Sequence, residues 1–237
     1  MNAKKVHIVS NVIIVVMLLT LGFFAFGGGE IKSVFGEEYE KPIYQGNTSC
    51  KQVSLMINVY WGTEYIAPML KILKKYNAKC TFFIGGSWAT ENNATLKLIN
   101  ENGHEIANHG TLHKDHKKLS EAQNFNEIMV NHNLIKQILG QEMKLFAPPS
   151  GSFSNTTLKV CKKQNYKMIM WSKDTIDWRD KDKMLIFKRA TNKLKAGDLI
   201  LMHPTSCTLE ALEDILKFYN ENGFKAVTVS QNISNVI

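Results

Sequence analysis

The 237-residue chain predicts an α/β fold of parallel strands covered by helices, and three observations carry that expectation. Beyond Cys50, strand-like and helix-like stretches alternate about seven times. The strands are short and apolar along most of their length, as strands buried on both faces must be. Polar and aromatic residues gather just past the strand ends, where parallel α/β folds place their ligands. A barrel and an open doubly wound sheet both satisfy this pattern. No Gly-x-Gly-x-x-Gly follows the first strand, which disfavours a dinucleotide fold.

Val53–Val59 is a β-prone run that ends at Tyr60-Trp61-Gly62. Glu64–Tyr76 is an amphipathic helix, with Ile66, Met69, Leu70, Leu73 and Tyr76 on one face. Cys80–Ile84 forms a second strand, stopped by Gly85-Gly86. A helix over Ala94–Asn100 leads through Asn102-Gly103 into the strand His104–Ala107. Ser120 and Gln123 form a capping-box pattern that opens a long helix to Leu139, closed by Gly140. The strand Leu145–Ala147 is broken by Pro148-Pro149. Helix Ser154–Gln164, strand Lys167–Trp171, helix Asp182–Leu194, strand Asp198–Met202, helix Thr208–Asn222 and strand Ala226–Val229 complete the chain.

The amino terminus reads differently. Lys4 and Lys5 precede an uncharged apolar run over residues 8–26, long enough to span a bilayer core. Glu30, Glu37 and Glu38 follow it. The charge step predicts a single-pass membrane anchor over residues 1–29, with the amino end cytoplasmic and the rest outside. A signal peptide cleaved near Gly27, giving a secreted protein, is the alternative. Residues 30–49 read as a linker, and residues 50–237 as the domain.

Composition narrows the function classes. The net charge is +8, but the lysines are dispersed and no basic helix is laced with aromatics. Nucleic-acid binding is therefore not expected. The four cysteines are widely separated, with no metal-knuckle spacing.

The strand ends assemble a candidate site. Asn58, Tyr60, Trp61 and Glu64 follow the first strand, and Asn108, His109 and His113 follow the third. Pro148, Pro149, Ser150 and Gly151 follow the fourth, Asp174, Asp177 and Trp178 the fifth, and His203 and Pro204 the sixth. Two imidazoles four residues apart at a strand end are a metal-ligand pattern.

With these segments in order, the sequence resembles the polysaccharide deacetylase family, the NodB-homology domain of chitin and peptidoglycan deacetylases, over about Val53 to Ser230. Its nearest look is to membrane-anchored, sporulation-type members of Gram-positive bacteria. The family's Thr-Phe-Asp-Asp-Gly becomes Met56-Ile57-Asn58-Val59-Tyr60 here, and Thr81-Phe82-Phe83 matches a Thr-Phe-Phe strand. The two-histidine motif is His109-Gly110-Thr111-Leu112-His113. Arg-x-Pro-Tyr/Phe-Gly becomes Ala147-Pro148-Pro149-Ser150-Gly151, and the last two motifs are Asp174–Trp178 and Leu201-Met202-His203.

The resemblance implies a distorted (β/α) barrel of about seven parallel strands. It also implies metal-dependent hydrolysis of N-acetyl groups on peptidoglycan or a related envelope polysaccharide. His109 and His113 would hold a divalent ion, zinc in many members. His203, oriented by Asp174 or Asp177, would protonate the leaving amine. Trp61, Pro149 and Trp178 would line the substrate cleft. Three positions depart from the pattern: Asn58 stands at the base, Val59 at the metal aspartate and Ala147 at the arginine. Glu64 is the candidate for a substitute third ligand. The alternative is a catalytically inactive homologue that binds envelope glycan.

Overall fold

A computed structural model describes residues 12–20 and 39–234. Its centre is β1 (Gln52–Val59), buried along nearly its whole length. In chain order follow α1 (Thr63–Lys75), β2 (Thr81–Ile84), α2 (Gly86–Glu91), α3 (Asn93–Glu101), β3 (Glu105–Asn108), α4 (Glu121–Leu139) and β4 (Leu145–Phe146). After them come α5 (Asn155–Lys163), β5 (Lys167–Met168), β6 (Lys173–Asp174), α6 (Lys183–Thr191), β7 (Leu199–Met202), α7 (Ser206–Glu221), β8 (Lys225–Ala226) and α8 (Val229–Ile233).

The strand order is β5-β4-β3-β2-β1-β7-β6, with β8 pairing the start of β1. The registered pairs, such as Asn58 with Phe83 and Met56 with Leu201, are parallel. The sheet curls into the distorted, open barrel that the family resemblance implies. Parallel strands need crossovers, and the helices that provide them bury the outer face. Leu55, Ile57 and Phe82 of the sheet pack in one core with Ile66, Met69 and Leu73 of α1 and Leu212 and Ile215 of α7.

Most elements lie where periodicity puts them. The capping box of Ser120 and Gln123 opens α4, and Gly140 ends it at φ 70°. Three departures have local causes. The run Lys167–Trp171 yields only the short β5, because its continuation pairs with residue 43 instead: Met170 N donates to Ile43 O at 2.8 Å. Val229 leaves the sheet and opens α8, because Thr228 accepts from Gln231 N and so caps a helix. Residues 43–46 run along the sheet, with Ile43 bridging Ile169 and Gln45 bridging Asp198.

The expectation for the amino terminus requires correction. Of the run 8–26, residues 12–20 are described and are helical. Among the described residues no helix is long and apolar enough to cross a membrane. The single-pass anchor, the cytoplasmic amino end and the membrane as a partner are withdrawn on that finding. Residues 8–11 and 21–26, and the cleavage point near Gly27, lie outside the described residues.

Phe82 is fully buried in this core, with its ring edge-on to His104. Phe82→Ala is expected to cost about 3–5 kcal/mol, read as a lower denaturant midpoint with an unchanged slope.

Candidate functional site

Beyond the carboxyl ends of the strands lies a cleft of about 370 Å³ lined by Asn58, Tyr60, Trp61, His109, His113, Ser150, Trp171, Asp174, Trp178, Leu201 and His203. The loops from β1, β3, β4, β6 and β7 therefore meet where the parallel topology predicts.

The β1 loop enters at Asn58, which is 5 % exposed. Tyr60 then lies across Gly85, where an added Cβ would sit 2.5 Å from Tyr60 Cδ2. Tyr60 packs on the His113 ring at 4.9 Å, and Trp61 stacks on the His203 ring at 5.8 Å with 11° between planes. Trp61 thus covers a face of His203, while Tyr60 meets His113 at a tilt of 43°.

His109 follows β3 and is buried. Its Nδ1 lies 2.8 Å from the Ala147 carbonyl. A carbonyl only accepts, so Nδ1 carries the proton and Nε2 is left as the acceptor. Burial, then the neighbouring His113, push the His109 pKa down to about 3. The His109 and His113 rings lie 5.2 Å apart, nearly edge to face.

Across the cleft, His203 is held by Asp177. His203 Nδ1 donates to Asp177 Oδ1 at 2.8 Å, and His203 N donates to Asp177 Oδ2 at 2.6 Å. Thr208 Oγ1 donates to the same Oδ2 at 2.6 Å, and Asp177 is 1 % exposed. Of the two candidate orienting residues, Asp177 bonds the imidazole. Asp174 lines the cleft with its Oδ1 accepting Ile176 N at 2.8 Å.

The remaining expected residues fall outside the cleft lining. Val59 and Ala147 are fully buried apolar residues, and Pro149 is buried in the short 3-10 turn Pro149–Gly151. Glu64 is exposed in the first turn of α1, where its charge favours the helix end.

A divalent ion does not fit these residues. His109 and His113 offer two imidazoles, but Val59 has no ligand atom and Glu64 stands on the outside of α1. Both Asp177 oxygens are taken by His203 and Thr208. Among the described residues no group of three His, Cys, Asp or Glu could hold a metal. The zinc centre expected at His109 and His113, with Glu64 as third ligand, is corrected accordingly.

Sequence reading missed the acid that shapes the histidine loop. Glu127 of α4 is 5 % exposed; it accepts Thr111 N at 3.1 Å and Leu112 N at 2.8 Å. The signal was a polar stripe, Asn124, Glu127 and Asn131, on one face of α4, all buried. Trp171 was read only as the end of a strand, yet it also lines the cleft.

The polysaccharide deacetylase profile matches residues 45–169. The chain belongs to the polysaccharide deacetylase family. It is 38% identical to YlxY of Bacillus subtilis over 81% of this chain and 60% of that protein, so it spans less than two thirds of this relative. A peptidoglycan-N-acetylglucosamine deacetylase of Bacillus cereus is 30% identical, over 70% of this chain and 81% of that one. Among solved structures, a CE4 family pseudoenzyme from Bacillus anthracis matches with a TM-score of 0.79 and 37% identity, covering 81% of this chain and 68% of that one. A mutant of the same pseudoenzyme, described as having restored enzymatic activity, matches with a TM-score of 0.79 and 35% identity, covering 81% and 71%.

The buried histidines set an acid limit to stability. Burial lowers the pKa of His104 to about 4 and of His109 to about 3, and lowers those of His116 and His132 as well. Unfolded, each titrates near 6.5, so below that pH the unfolded chain binds protons that the folded chain refuses. The contribution of these histidines is therefore constant above about pH 7. It is expected to fall as pH drops from about 6.5 toward 4, by about 1.4 kcal/mol per unit for each histidine kept neutral. Guanidinium midpoints at pH 7.5, 6 and 5 check this.

Proposed function

We propose that this domain is a non-catalytic member of the family that binds envelope glycan carrying N-acetylated sugars, peptidoglycan foremost. The observation that carries the reading is the uncharged cluster at the family's charged positions. Asn58, Val59 and Ala147 are all buried, with no carboxylate or guanidinium among them. An amide cannot take a proton from water at neutral pH. Without a third ligand, the expected activation of water by a metal has no basis either. The hydrolase reading is set aside on these grounds.

What remains suits binding. Trp61 and Trp178 are 45% and 55% exposed at the cleft, and their rings offer apolar platforms to sugar faces. His203, His113 and Asp174 supply a few polar groups for hydroxyls. The likeness to a CE4 family pseudoenzyme supports the same reading, and the deacetylase relatives support peptidoglycan as the glycan. The domain in this proposal is residues 50–237, joined by residues 43–49 through the bridges of Ile43 and Gln45. The likeness to sporulation-type members belongs to the same proposal.

Co-sedimentation of the full chain with purified peptidoglycan tests the reading. Trp61→Ala and Trp178→Ala are each expected to weaken binding about tenfold, since a few aromatic anchors dominate such sites. Wild-type binding in both variants would sink the proposal. Replacing Asn58→Asp, Val59→Asp and Ala147→Arg together restores the missing charges, and with added zinc this variant is expected to release acetate that the parent does not. Release no higher than the parent's would show divergence beyond these three positions.

A further inference from the structure

A second cavity, of about 310 Å³, opens beside the cleft where β6 meets α6. It is lined by Lys173, Asp174, Leu185, Lys188, Arg189 and Asn192. Asp174 also lines the cleft, so the two spaces share a wall. Three of the six lining residues are cations, and none of these lines the cleft. Residues 173–195 hold eight Lys and Arg against four Asp, which is half of the chain's net charge of +8.

The fold holds two of these cations from behind. The Lys173 side chain, 15% exposed, donates from Nζ to Asn192 O at 2.6 Å and lies 3.9 Å from Asp198 Oδ2. Arg189 donates from Nη1 to Thr175 O at 2.8 Å and from Nη2 to Asp180 Oδ2 at 2.6 Å. An ammonium carries three donors and a guanidinium five, so each keeps donors beyond those bonds. Lys188 is exposed and forms no ion pair among the described residues. Asp174 is the one carboxylate in the lining, and its Oδ1 accepts Ile176 N. Three cations against one carboxylate suit an anion. Asp174, with Asp180 and Asp198 behind the cations, favours a singly charged anion over a phosphate dianion.

We infer that this second cavity is a carboxylate subsite of the glycan-binding face. Peptidoglycan carries carboxylates on the lactyl ethers of its muramyl sugars or on the stem peptides attached there, whereas chitin-type chains carry none. A glycan that fills the cleft and passes Asp174 places one such carboxylate among Lys173, Lys188 and Arg189. The domain thereby separates muramyl glycan from neutral N-acetylated chains. This deepens the glycan-binding reading and rests on it.

The test is titration calorimetry of the full chain with three ligands: a stem-free GlcNAc–MurNAc tetrasaccharide, its lactyl methyl ester, and the tetrasaccharide carrying stem peptides. Wild-type protein is expected to bind at least one carboxylate form about fivefold more tightly than the ester, the scale of an ion pair partly open to water. The preference should shrink as salt is added. Preference for the stem-free acid assigns the lactyl carboxylate, and preference for the stem-bearing form alone assigns the stem. Lys188→Glu, at an exposed position of α6, should bring the three ligands within about twofold of one another and leave the ester within about twofold of wild type. Lys173→Gln should lower the preference at least about twofold. Lys71→Glu makes the same change of charge on α1, outside this cavity, and should keep the preference. Equal wild-type binding of all three ligands overturns the subsite while glycan binding stands. So does a preference that survives Lys188→Glu or is lost equally in Lys71→Glu. No binding of any ligand overturns both.

Discussion

The cleft depends on one buried polar network that fixes the loop after β3. Asn108 Oδ1 accepts Gly110 N at 2.9 Å and Asn131 Nδ2 at 2.9 Å, and the same Asn131 nitrogen reaches Ile84 O at 2.7 Å. Glu127 closes the next turn through Thr111 N and Leu112 N. The loop then passes Gly110 at φ 76° and His113 at φ 53°, left-handed backbone that packing must enforce on the histidine. The Asn108 and Asn131 side-chain nitrogens are both bonded in this network, while Asn131 Oδ1 is left buried without a partner among the described residues. The network positions His109 and His113 from the protein side, with no ion needed to tie the loop together.

That independence explains how the site could lose charge and keep shape. An arginine retained opposite Asn58 would be a buried cation without its partner, which is a costly arrangement. Ala147 in that place removes the cost, and Val59 carries the neutral character along β1. On the opposite wall Asp177, itself buried, holds His203 by side chain and backbone and is steadied by Thr208. Trp61 then covers a face of His203, and Tyr60 meets His113 at a tilt. Asn58, Val59 and Ala147 stand at the positions where the family resemblance places charged groups, and the His203–Asp177 pair faces them across the cleft.

Much of this was legible in the sequence for definite reasons. The alternation of short apolar strands and amphipathic helices fixes a parallel sheet, and strand ends then gather Asn58, His109, Asp174 and His203. Long-range choices were not legible. Whether Asp174 or Asp177 meets His203 depends on a loop with Ile176 at φ 53°, which no periodicity encodes. Glu64 was a tenable ligand until α1 turned it outward. Glu127 left only the polar stripe on α4 as a signal, because its partners include backbone amides, which carry no sequence signature of their own.

The central claim is that the cleft holds acetylated glycan without turning it over. The direct measurement is acetate release, followed by proton NMR, from N-acetylated chitooligosaccharide incubated with the full chain and added zinc or cobalt. Binding is measured in the same samples. The account predicts saturable binding, with acetate staying at the level of a protein-free control. Acetate release that disappears in His109→Ala and His203→Ala would contradict it.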